Sequence, residues 1–106
     1  MTADIIFLVR EDNLTGKASR NLRRELSAMV APGRRLILDL STVEKVDSLV
    51  ANWLLEIAET LRMSGGYLKL VGLQNGVAAF LELLRVHHRI EMKGGPVQVA
   101  SMAIAA

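Results

Sequence analysis

No cysteine occurs in this chain. Disulfides, thiolate metal sites and cysteine nucleophiles are excluded at once. Aromatic residues are nearly as scarce, with one Trp, one Tyr and two Phe in 106 residues. None of them interleaves with the basic residues to stack a nucleobase. A formal net charge of +2 gives a nucleic acid little to hold, so no nucleic-acid partner is expected. Long hydrophobic runs are missing too. A membrane-crossing helix needs about 20 apolar residues; the runs here fall far short, and no membrane insertion is expected. The opening MTADIIFLVRED sets an acid before a short apolar run, without a basic leader or a small-residue cleavage site. Together with the missing cysteine, this fits a cytoplasmic protein. The closing AIAA is expected to be too short for a membrane anchor.

Catalytic equipment is thin as well. The two histidines, His87 and His88, are adjacent and point in different directions from a helix end. That position suits a solvated imidazole, since the helix dipole favours a cation there. Neither GxGxxG nor GxxxxGK[ST] is present. Gly65-Gly66 precedes a strand, where the chain must turn. No enzyme activity, metal or cofactor is expected.

What the chain has is aliphatic bulk. Its hydrophobic fraction of 51% supplies one core of Leu, Val, Ile, Ala and Met, and its length suits one domain spanning residues 1–106. A domain of this size keeps a net stability of about 5–15 kcal/mol.

Ile5–Val9 reads as a strand buried on both faces. Asn13 to Gly16 links it to a helix, with Thr15 as the expected N-cap. From Lys17 onward, Ala18, Leu22, Leu26 and Met29 recur at helical spacing until Pro32-Gly33. Lys17, Arg20, Arg23 and Arg24, with Arg34 and Arg35 beyond, read as a solvated basic face; docking of an acidic protein is the alternative. Arg35–Leu40 is the second strand and Ser41 to Val46 a loop. A helix follows from Ser48 to Met63, with Val50, Trp53, Leu54, Ile57, Ala58 and Leu61 inward. Ser64-Gly65-Gly66 ends it. Tyr67–Val71 is the third strand, and the loop GLQNG after it is a plain turn or a contact loop. A third helix covers Val77–Val86, with Val77, Phe80, Leu81 and Leu84 inward. Val97–Ala100 is the expected fourth strand, followed by a helical turn over Ser101–Ala106. Alternation of strand and helix implies an α/β domain with about four mainly parallel strands and helices packed on the sheet.

The most informative stretch is Leu36–Leu55, LILDLSTVEKVDSLVANWLL. Asp39 and Asp47 lie near the carboxyl end of the second strand, where open α/β sheets place functional loops. Two carboxylates suggest acid–base work, but no third group completes it, and Asp47 equally suits a helix cap. Ser48 sits at the start of the helix. A phosphoryl group there would face free backbone N–H groups and the positive end of the dipole. From local chemistry alone, Ser48 too reads first as a cap.

The segment LILDLSTVEKVDS resembles the STAS family, the sulfate-transporter and anti-sigma-factor-antagonist domains. The likeness runs over Leu14–Ile90 and continues in SGGYLKLVGLQNGVAAFLELLRV, similar to the family's Gly-Gly, apolar strand, Val-Gly and Val-rich helix. In bacterial members, a serine or threonine of this loop is phosphorylated by a kinase, which releases a bound partner. Many members read Asp-Ser-Ser-Gly; here Asp47-Ser48-Leu49-Val50 lacks the second serine and the glycine. Asp47-Ser48-Leu49-Val50-Ala51 is similar to the Asp-Ser/Thr-x-x-Ala variant of stressosome-type members, in which the residue after the aspartate is the acceptor.

The resemblance thus implies an anti-sigma factor antagonist working by partner switching. Ser48 is its phosphoacceptor candidate, and Asp39, Asp47, Ser48, Leu49 and Asn52 form its partner-binding surface. The partners implied are an anti-sigma factor serine kinase or related STAS proteins. A non-switching accessory subunit of an ABC-type lipid transport system and a small-ligand or nucleotide sensor are the alternatives. Two departures bear on assembly, including a homodimer: a single strand before the first helix where the family commonly has two, and a poor match after Ile90.

Overall fold

Leu36 and Leu38 alternate with Arg35, Ile37 and Asp39 along one strand, so one face of that strand must turn inward. In the computed structural model, which describes residues 4–94, it does. The chain runs β1 (Asp4–Leu8), β2 (Asn13–Leu14), α1 (Lys17–Met29), β3 (Arg35–Asp39), β4 (Lys45–Val46), α2 (Ser48–Met63), β5 (Tyr67–Leu73), α3 (Asn75–Leu83), a 3₁₀ turn (Val86–His88) and β6 (Glu91–Gly94). The main sheet has the order β1-β3-β5-β6 with every pairing parallel. β2 and β4 form a separate two-stranded parallel pair.

Register lines up the inner face. Ile5 lies beside Leu36 and Leu36 beside Leu68; Phe7 lies beside Leu38 and Leu38 beside Leu70. These residues share one core with Leu22 and Leu26 of α1 and with Trp53, Leu54, Ile57 and Leu61 of α2. On the other face stand Asp4, Ile6, Leu8, Arg35, Ile37, Asp39, Tyr67, Lys69, Val71 and Glu91, and none of them is fully buried. Ion pairs Arg35–Asp4 (2.8 Å) and Lys69–Glu91 (3.5 Å) tie that face together. A two-layer arrangement of this kind leaves half of each strand facing water.

Several expectations need correction. The first strand is not buried on both faces: it is an edge strand with Ile6 70% and Leu8 45% exposed. Sequence periodicity cannot separate a central strand from an edge strand when both are apolar. The links Asn13–Gly16 and Ser41–Val46 are not plain loops, because β2 and β4 pair within them. Buried Leu14 anchors that pair. Two strands therefore precede α1, where one was expected. Thr15 is not the N-cap. Gly16 takes that place with φ 56°, and the Thr15 hydroxyl donates to Asn13 Oδ1 at 2.7 Å.

The third helix starts two residues early and stops at Leu83. Arg85 then adopts φ 61°, which turns the chain so that Val86 and Ile90 enter the core while Leu84 stays 41% exposed. The fourth strand of the sheet is Glu91–Gly94; the expected Val97–Ala100 strand and Ser101–Ala106 turn lie outside the described residues.

The turn from α2 into β5 depends on one close approach. Tyr67 N–H donates to Arg34 O at 3.1 Å, and a Cβ placed on Gly66 would lie 1.9 Å from that same oxygen. Backbone cannot yield that distance without parting the strands. Gly76, in the first turn of α3, has nothing within 4 Å of such a Cβ. Gly66→Ala is therefore expected to destabilise the domain by at least about 2 kcal/mol, and Gly76→Ala to stabilise it by about 0.5–1 kcal/mol. Urea unfolding of the two variants beside the parent protein checks both signs.

Candidate functional site

α1 and α2 begin at the same corner, and one side chain joins them. Asp47 is extended (φ −112°, ψ 177°) just ahead of α2. Its Oδ1 accepts from Val50 N–H at 3.0 Å, the usual N-cap bond. Its Oδ2 accepts from Gly16 N–H at 3.3 Å, at the start of α1. A single carboxylate therefore serves two helix starts. The positive ends of two helix dipoles meet here, with exposed Lys17 and Arg20 in the opening turn of α1 and exposed Lys45 in β4.

Ser48 is the first residue of α2 and is exposed. Asp47 does the capping, so the cap reading of Ser48 is set aside. No hydrogen bond holds its hydroxyl among the described residues. Leu49 is 55% exposed, and exposed Asn52 lies one turn beyond Ser48 on the same flank.

From this corner a groove of about 270 Å³ runs between α1 and α2, walled by Arg20 and Arg23 on one side and by Leu49, Asn52 and Glu56 on the other. Arg23 and Glu56 bridge it at 3.3 Å. Trp53 lies at its base, only 4% exposed, with an indole N–H that finds no acceptor among the described residues. Trp53 is thus a core residue, as expected, and also a wall of the groove. Nothing in the sequence signalled the second role, because it depends on how two helices lie against each other.

Asp39 is employed elsewhere. Its Oδ1 accepts from Ser41 N–H at 2.9 Å, folding the chain back after β3. The backbone of Gly72 presses on this turn: a Cβ there would sit 2.7 Å from Asp39 Oδ1. Gln74 Nε2 donates to Ser41 O at 2.8 Å and fastens the GLQNG loop to the same turn. The structure thus groups Asp47, Ser48, Leu49 and Asn52 and gives Asp39 a separate structural bond. Among the described residues no group of three or more His, Asp or Glu side chains is placed to hold a metal ion. No helix there is long and apolar enough to cross a membrane. The resolved carboxylate shift is remote from the corner, at Glu59, where the hydrogen bond from Arg62, assisted by the charges of Arg62 and Arg89, outweighs desolvation and holds the carboxyl below its usual range.

Comparison with known proteins agrees with this architecture. A family model described as "Mlab, STAS domain" matches residues 11–101. Among solved structures, a candidate anti-sigma factor antagonist from Thermotoga maritima superposes with a TM-score of 0.72 at 17% identity, covering 96% of this chain and 90% of that one. An anti-sigma-factor antagonist (STAS) domain protein from Planctomyces limnophilus superposes with a TM-score of 0.75 at 17% identity, covering 95% and 88%. None of the curated proteins matches this chain.

The shared carboxylate has a measurable consequence. Asp47→Ala removes an acceptor from both helix starts and is expected to cost about 1–3 kcal/mol. Ser48→Ala, at an exposed and unbonded side chain, should change stability by no more than about 0.5 kcal/mol. Chemical denaturation of both variants separates the structural residue from its neighbour.

Proposed function

The chain belongs to the STAS domain family, and on that premise we propose that it is a regulatory binding module, an anti-sigma factor antagonist whose docking is switched at Ser48. The observation that carries this reading is the exposed, uncommitted Ser48 hydroxyl beside a cap supplied by Asp47. Phosphorylation would add about −1.5 to −2 charges and three acceptor oxygens. Within the domain, that charge meets two helix N-termini and the cations Lys17 and Arg20, so the fold tolerates it. A partner packed over Leu49 and Asn52 would have to desolvate the dianion or oppose it with like charge. The bound partner leaves and the domain stays folded. The partner is an anti-sigma factor of the serine-kinase kind or another STAS protein, acting in the cytoplasm, and the chain itself performs no chemistry.

A second reading is favoured by Leu49. It stands where many relatives carry their second serine, and it is 55% exposed. A bare apolar side chain suits a permanent contact, as in a non-switching accessory subunit of a lipid-transport ABC system. There Ser48 would be a bystander.

Binding assays with the ATP-binding anti-sigma factor kinase of the same organism separate the two. Ser48→Ala is expected to bind like the parent protein and to resist release by ATP. Ser48→Asp is expected to bind roughly 30- to 1000-fold more weakly, the equivalent of about 2–4 kcal/mol. Equal binding by both variants, with no mass gain on Ser48 after incubation with kinase and ATP, would turn the assignment to the constant-partner reading.

A further inference from the structure

The outer side of β1 is unpaired among the described residues, since β1 ends the sheet order. Val9 N–H donates inward to Asp39 O at 3.0 Å. In a parallel pair the bonding residues alternate, so Ile5, Phe7 and Val9 bond to β3 while Ile6 and Leu8 direct their N–H and C=O outward. The same two residues expose their side chains, at 70% and 45%. Edge strands are ordinarily blunted by proline, lysine, a bulge or a covering element; Asp4–Leu8 carries none of the first three, and its register with β3 is unbroken. Beside this edge, α1 stands off from the strand, and Ile6 and Leu8 line the space between them. This groove of about 410 Å³ is lined also by Phe7, Ala18, Asn21, Leu22 and Glu25.

We propose that this edge pairs with β1 of a second copy of the chain, antiparallel across a two-fold axis, joining two four-stranded sheets into one. The sequence of β1 selects the register. Outward groups must oppose outward groups, so the axis passes through a single residue. With the axis at Phe7, Ile6 lies opposite the partner's Leu8, and each such pair exchanges both N–H···O bonds. Asp4, already paired with Arg35 through Oδ1, then lies opposite the partner's Arg10, just past the end of β1, so that its carboxylate bridges two arginines at each end. An axis at Leu8 sets Asp4 against the partner's Asp12, and an axis at Ile6 sets it against the partner's Leu8. The self-complementary charge pattern fits a second copy of this chain and one alignment of it. On the inner side, the two Phe7 rings meet at the axis, in the groove beneath α1. The Asp47–Ser48 corner takes no part, so this pairing stands or falls apart from the switch.

Sedimentation and light scattering of the full chain test it. The parent protein is expected to be a dimer at micromolar concentration. Ile6→Pro removes an outward N–H and no bond to β3, an exchange an edge strand accepts, and should give a folded monomer by circular dichroism. Arg10→Glu, which leaves the Asp4–Arg35 ion pair in place, should raise the dimer dissociation constant at least about tenfold. A parent protein that stays monomeric at 100-fold higher concentration, or a dimer indifferent to Ile6→Pro and to Arg10→Glu, would overturn the pairing.

Discussion

The Asp47 carboxylate is the interaction that joins the starts of the two long helices and sets the corner between them. One oxygen accepts from the start of α2 and the other from the start of α1. Each helix alone would present unbonded N–H groups to water. Sharing one acceptor brings the two starts to one corner, and from that corner the helices run over the sheet with a groove between them. Because Asp47 satisfies the α2 terminus, Ser48 has nothing structural to do. Its freedom is a by-product of its neighbour's occupation.

Under the proposed switch, an added charge at this corner acts as a signal without acting as a denaturant. Two dipole ends and nearby cations form a setting in which added negative charge is welcome to the domain. The identical charge is unwelcome to any surface pressed against it. Exclusion of a partner then needs no change of shape, which suits a domain whose helices are fixed by buried leucines and one buried tryptophan.

The opposite face of the sheet tells a complementary story. With both long helices on one side, the strands can satisfy only their inner residues. Ile6 and Leu8 are left in water beside an open strand edge, and ion pairs across Arg35, Asp4, Lys69 and Glu91 hold the remainder. Two exposed surfaces of different chemistry therefore arise from one architectural decision. The loop corner is polar and carries an exposed hydroxyl; the strand edge is apolar.

The local signals were read directly from residues. Apolar runs mark strands at Arg35–Leu40 and Tyr67–Val71, which the structure places at Arg35–Asp39 and Tyr67–Leu73, and the Asp47-Ser48 step marks the start of α2, because caps and periodicity act over only a few residues. The placement of Ser48 at a helix mouth was legible for the same reason. Tertiary packing alone decided that β1 lies at an edge, that Leu14 pairs with Val46 in a small second sheet, and that Glu91–Gly94 is the fourth strand of the main sheet. It also decided that Trp53 lies along a groove. Each of these depends on which distant segment arrives alongside. A run of apolar side chains says that it must be covered, and only the folded chain says by what.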